Sequence, residues 1–176
     1  MAETGAIKKR KWVCLGPWCP EDLSLINKPG FTIRAGIIPY TLDAGGGGQV
    51  LLGVKDGLYG DFGGGCKMRN GEKPFECAHR EFTEETLGLL HLEPRNITHV
   101  FISGTKKPHQ TVLMVKVEEG EYFGQDLVHK YESAAGPKEL SAIRYVSFAD
   151  FQRMPTRYFD VNMKNILGDV RRVMGR

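Results

Sequence analysis

The sequence predicts an α/β or α+β sandwich, a mixed β-sheet packed between helices, with an extended arm over residues 1–30 and one domain over residues 31–176. Two observations point there. Short β-branched and aromatic runs, bounded by glycine and proline, stand both before and after one amphipathic helical stretch, and a second helical period closes the chain. That order suits a sheet covered by helices. A third observation limits the alternatives: 176 residues fit a single domain, and a content of 41% hydrophobic and 26% charged residues is that of a folded soluble chain rather than a disordered one.

Taken in order, residues 1–30 are rich in turn formers ("GPWCP", "NKPG") and read as an arm with little regular structure. "FTIRAGIIPYTL" (31–42) and "QVLLGVK" (49–55) are strands joined by "DAGGGG", a loop, so the pair predicts a hairpin. The glycine-dense "DGLYGDFGGGCKMRNGE" leads into a helix over residues 74–87, followed by strands at 97–105 and 111–118. "EYFGQDLVHKYESAAGPKEL" reads as a loop with one helical turn, and "SAIRYVSF" (141–148) as the last strand. "ADFQRM" starts a short helix. Val161, Ile166, Val170 and Val173 then predict an amphipathic C-terminal helix.

Composition narrows the function classes. No apolar run approaches the roughly 18 residues that span a bilayer, and no apolar segment of secretory length follows the basic "KKRK" near the N-terminus. The expectation is a cytoplasmic protein, with the nucleus a second intracellular location. The four cysteines, Cys14, Cys19, Cys66 and Cys77, form no CxxC pair. That argues against structural zinc and for reduced thiols. A formal charge of +3 suits an anionic ligand without requiring one.

The helix of residues 74–87 carries the chemistry. Pro74 suits a first helical turn, but Lys73 before it is a poor N-cap, so something other than capping must hold this helix start. Phe75, Ala78, Phe82 and Leu89 share an apolar side. Glu81, Glu84 and Glu85 fall on the neighbouring side, since residues three and four apart stack on a helix. Like charges at that spacing destabilise a helix by about 0.2–0.5 kcal/mol per pair. A solvated face tolerates this. So does a divalent cation, because Mg²⁺ takes carboxylates, waters and phosphate oxygens as ligands.

With these residues in view, the chain resembles the Nudix hydrolase superfamily, whose box reads G-x5-E-x7-R-E-U-x-E-E-x-G-U. Glu72, seven intervening residues and "REFTEE" match its central part without a gap. "RAGIIPY", "VLLGVK", "DFGGG" and "ELSAIRYVSFADF" resemble the flanking strands, and the similarity spans residues 31 to 153. Two departures stand out. Six residues rather than five separate Gly65 from Glu72, so either Gly64 or Gly65 supplies the backbone carbonyl that the family offers to metal. Leu87 stands where the box has glycine, with Gly88 one place later, so the helix is expected to run one residue longer.

The resemblance implies water attacking phosphorus in a diphosphate linkage, with Mg²⁺ or Mn²⁺ as cofactor. It implies that Glu72 pairs with Arg80 to brace the loop and that Glu81, Glu84, Glu85 and a carbonyl such as that of Gly65 hold metal. Glu139 is the candidate base outside the box, or else a loop-bracing carboxylate. Arg34, Lys55, Lys67 and Arg69 are candidate phosphate ligands, and Phe62 or Tyr59 a candidate to stack on a base. The expected partner is a nucleotide-type small molecule, with no membrane; the oligomer is a monomer or a homodimer. RNA is the second substrate class, because Trp12 and Trp18 on the basic arm suit stacking, although an arm packed on the domain explains them as well. A catalytically silent nucleotide- or RNA-binding module is the reading from another class. Gly104 and Lys106 lack the proline or tyrosine that two substrate subgroups carry.

Overall fold

The computed structural model describes residues 12–15, 26–103, 108–117 and 124–175. Eight strands form one sheet: β1 (Trp12–Leu15), β2 (Thr32–Leu42), β3 (Gly48–Lys55), β4 (Leu58–Gly60), β5 (Phe62–Gly65), β6 (Ile97–Ser103), β7 (His109–Lys116) and β8 (Ala142–Ser147). Four α-helices accompany them among the described residues: α1 (Pro74–Glu85), α2 (Gln125–Ser133), α3 (Phe148–Arg153) and α4 (Val161–Met174). The order β1-β6-β7-β2-β3-β4, with β5 on β2 and β8 on β3, is mixed because β2 runs parallel to β7 while its other pairings are antiparallel. The α/β sandwich expected from the sequence is the observed architecture.

Strand alternation divides the interior in two. Ala35, Ile37 and Leu51 face one core, filled by Cys77, Ala78 and Phe82 of α1 and Leu127, Val128 and Tyr131 of α2. Ile38, Tyr40, Val50 and Leu52 face the other, filled by Phe151 of α3 and Met163, Ile166, Leu167 and Val170 of α4. The sheet also forks. β2 pairs with β5 over Arg34–Ile37 and with β3 only from Tyr40 onward, and Pro39, which has no N–H to give a ladder, stands in the gap. The opening between β5 and β3 becomes the site.

Several elements differ from expectation. The glycine-dense stretch after β3 contributes β4 and β5, because a two-residue turn at Asp56 and Gly57, φ 52° and 77°, closes a tight hairpin. α2 runs for nine residues rather than one turn, held by buried Leu127, Val128 and Tyr131. Four residues of the N-terminal segment pair with β6 as an edge strand. The side chains of Trp12, Cys14 and Trp18, like Cys19, Gly104 and Lys106, lie outside the described residues. Thiols were expected at Cys66 and Cys77, yet these two form a disulfide: the loop between β5 and α1 doubles back and leaves their Cα atoms 5.2 Å apart.

α1 ends at Glu85, two residues short of the expected 87. Leu87, at the position where the box has glycine, takes the left-handed conformation, φ 57°, followed by Gly88 at 67°. The amides of Leu87 and Gly88 bond back to the carbonyls of Glu84 and Thr83 at 3.3 and 2.9 Å, which completes a helix stop without glycine at its usual place. At the other end, the Phe75 amide donates to Asn27 Oδ1 at 3.0 Å and the Lys73 amide to Glu76 Oε2 at 2.9 Å. The weak cap at Lys73 is thus made good by a side chain 48 residues away.

Candidate active site

A cavity of about 410 Å³ opens where the sheet forks. β2 supplies Arg34, β3 Lys55, β5 the glycines Gly63 to Gly65, and α1 supplies Glu81 and Glu85. Glu139, from the loop before β8, and Asp160 and Asn162, at the start of α4, close it. The Tyr131 hydroxyl donates to the Leu140 carbonyl at 3.1 Å, which fixes that loop against α2. Residues far apart in sequence meet here because β2 and β3 separate just above α1.

On one flank, Arg80 gathers the carboxylates of the box. Its Nε donates to Glu72 Oε1 at 2.7 Å, Nη2 to Glu72 Oε2 at 3.1 Å and to the Gly65 carbonyl at 2.9 Å, and Nη1 to Glu81 at 2.6 Å and Glu84 at 3.3 Å. The Lys67 amide donates to Glu72 Oε2 at 2.6 Å. The guanidinium hydrogen bond holds the Glu72 carboxyl below the ordinary carboxylate range. The expected loop brace is therefore present.

The three glutamates share a side of α1 but not a depth. The Glu84 side chain is 56% exposed and that of Glu81 13%, whereas Glu85 is 7% exposed as a residue. Burial first, then the charge of Asp61, pushes the Glu85 carboxyl up to about 8, and Oε2 is buried without a hydrogen-bond partner among the described residues. Beside it, Asp61 is buried and pairs with Arg34 through two bonds of 2.9 Å. Asp160 accepts from the Met163 amide at 2.7 Å, and burial raises its carboxyl.

Gly64 passes close under Glu81, whose present pose needs the space that a side chain at residue 64 would fill. A methyl group there would run into the Glu81 carboxylate, whereas one at Gly65 would meet open space. Of the two carbonyls expected to offer an oxygen to metal, those of Gly64 and Gly65, the Gly65 oxygen accepts from Arg80 at 2.9 Å. Phe62 cannot stack on a base: it is fully buried and meets Phe82 edge-on at 5.4 Å, since strand alternation turns Asp61 toward the cavity and Phe62 into the core. Tyr59 packs against the second core. Lys67 and Arg69 are exposed on the loop and do not line the cavity, while Arg34 and Lys55 do.

Asp61, Asp160 and Asn162 were not foreseen. Asp160 carries a signal, an acidic residue just before an apolar-periodic helix, but that signal announces a cap and not a cavity wall. Asp61 carries none.

No protein-family model matches the sequence. No curated protein matches it either. Its three-dimensional form does have relatives. It is similar to a Nudix hydrolase from M. smegmatis, RenU, with a TM-score of 0.52 at 15% identity over 83% of this chain and 88% of that one. It is also similar to the NUDIX domain of Shewanella oneidensis NrtR complexed with ADP ribose, with a TM-score of 0.50 at 12% identity over 89% of this chain and 99% of that one. With the forked mixed sheet, helices on both faces and α1 laid beneath the opening, the fold of this chain is that of the Nudix hydrolases.

Proposed function

We propose that the chain is a Nudix-type hydrolase that cleaves a diphosphate linkage in a nucleoside diphosphate-linked substrate with the help of Mg²⁺ or Mn²⁺. The observation that carries this reading is Glu85: a nine-tenths buried carboxylate with an unpartnered oxygen, beside Glu81, in a cavity that also holds Arg34 and Lys55. Leaving such an oxygen unmatched costs about 1–3 kcal/mol or more, which a cation would repay. The donor set fits a hard divalent ion, being all oxygen: Glu81 and Glu85 line the cavity with β5 backbone beside them, and Glu84 stands exposed next to them on α1. When bound, such an ion lowers the pKa of water and neutralises phosphate oxygens.

The chain's own residues do the rest. Arg80 keeps Glu72 and the Gly65 carbonyl in register with α1, so Glu81 and Glu85 stand at a fixed distance from β5. Arg34, steered by Asp61, and Lys55 offer positive charge to the phosphates. Glu139 lines the same cavity from the loop before β8 and accepts the proton of the attacking water. Oxygen bonds to phosphorus, the bridging P–O bond breaks, and the bridging oxygen leaves on the departing phosphate.

The test is a panel of nucleotide diphosphate conjugates with Mg²⁺ and Mn²⁺, comparing wild type with Glu85→Gln. Metal-dependent phosphate release by wild type alone is expected. Release from none of them, with nucleotide still bound, would make the chain a binding module, and turnover confined to capped or triphosphorylated RNA would move the substrate class.

A further inference from the structure

The loop carrying Glu72 is fastened to α1 twice, once by Arg80 and once by sulfur. Cys66 is the first residue after β5 and Cys77 lies one turn into α1. Their disulfide encloses the whole loop between. The Glu72 carboxylate lies within 4.8 Å of both sulfurs, so the covalent link sits directly against the Glu72–Arg80 brace. Each cysteine also adjoins a contact of the site. Cys66 follows Gly65, whose carbonyl Arg80 holds, and Cys77 precedes Arg80 and Glu81 by three and four residues on one face of the helix.

We propose that Cys66 and Cys77 form a thiol–disulfide exchange site that fastens the loop to α1 when oxidised and releases it when reduced. The two sulfurs are unequal. Cys77 is fully buried and Cys66 is half-buried, so a reductant thiolate reaches the Cys66 sulfur. That attack forms a mixed disulfide at Cys66 and expels the Cys77 sulfur, which takes up the proton given up by the attacking thiol because it lies in the apolar core beside Glu72. The second thiolate of a dithiol then displaces Cys66. In total, one protein disulfide and one dithiol give two protein thiols and one oxidised dithiol; a small-molecule disulfide drives the reverse. Once the link opens, a loop of ten intervening residues regains the freedom that the bond removed, and the Glu72 loop is left fastened to α1 by the Arg80 hydrogen bonds, while β5 itself stays paired with β2.

The full chain, purified without reductant, is mapped by peptide mass spectrometry, and its melting temperature and Mn²⁺ affinity are measured before and after dithiothreitol. The map is expected to show Cys66 joined to Cys77. Reduction is expected to lower the melting temperature by several degrees and to weaken Mn²⁺ about tenfold, the scale of losing support behind metal ligands. A Cys66→Ala, Cys77→Ala double variant should melt like reduced wild type and ignore the dithiol, and Cys14→Ser, Cys19→Ser should retain the full response. Free thiols or a zinc ion at Cys66 and Cys77 in the untreated protein would overturn the proposal, as would a wild type whose melting does not move on reduction. The metal readout rests on the hydrolase reading: if neither form binds Mn²⁺ while map and melting respond, that reading falls and the exchange site stands.

Discussion

The two sides of the cavity are both acidic, and they are finished to different degrees. On the Arg80 side, Glu72, Glu81 and Glu84 converge on one guanidinium, and every contact is made within the chain. On the floor, Glu85, Asp61 and Asp160 crowd around a single Arg34 that Asp61 already occupies with both oxygens, and Glu85 Oε2 is left over. Carboxylates of the same helix, one turn apart, thus do opposite work. One group already has a positive partner within the chain. The other is a charge deficit that a cation would complete.

The largest effect should come from striking the floor. Glu85→Gln removes a charge worth several kcal/mol of transition-state stabilisation, so turnover of the best substrate should fall about 10³-fold. Glu84→Gln, at an exposed carboxylate, should cost less, and a loss equal to that of Glu85→Gln would erase the distinction between brace and floor. Steady-state kinetics on the two variants at saturating Mn²⁺ decides it. Arg80→Lys comes next, because lysine cannot reproduce the forked contacts to Glu72, Glu81 and the Gly65 carbonyl; Mn²⁺ affinity should drop by about 10- to 100-fold. Gly64→Ala should fall in the same range by pushing aside the Glu81 carboxylate, yet it should leave the melting temperature nearly unchanged, since the far end of a side chain yields easily.

Acid and base separate the two sides by sign. Glu85 titrates near 4.5 when unfolded and at about 8 when folded, so across that window the unfolded state releases a proton that the folded state keeps. Metal-free wild type should therefore lose more stability than Glu85→Gln as pH rises from about 5 to 8, the variant keeping only the smaller loss due to Asp160. Glu72 behaves oppositely. Its folded carboxyl is depressed, so its contribution is present above about 4.5 and is lost as pH falls through the folded value. Melting curves in a chelator from acid to mild base read both, and a wild type that gains stability toward pH 8 relative to Glu85→Gln would contradict the unfinished floor.

How much of this was legible follows from what each feature depends on. The spacing of Glu81, Glu84 and Glu85 and the pairing of Glu72 with Arg80 are set along one helix and the loop before it, and local periodicity shows them. Depth is not local. Only the fork of β2 makes Glu85 the floor and leaves Glu84 exposed, and nothing in "REFTEE" ranks them. Phe62 misled because an aromatic beside glycines suits a base platform as well as a core; the alternation that buries it becomes visible only once β5 is known to be a strand. Asp61 and Asp160 enter through tertiary structure alone, one from a two-bond pair with Arg34, the other as a cap that also walls the cavity.

The smallest effect tests an expectation the sequence raised and could not complete. Lys73 is a poor N-cap, which required some other group at the start of α1, and the structure supplies Asn27 to the Phe75 amide. Asn27→Ala should then cost about 1 kcal/mol, the usual worth of a cap, equivalent to about 2–4 °C for a domain of this size. Asn27 touches neither the brace nor the floor, so Mn²⁺ affinity should stay within twofold of wild type. A melting loss accompanied by a large loss of affinity would mean that the pose of α1, set from its far end, is what holds the glutamates in place, and brace and floor would then be parts of one rigid body rather than two separable halves.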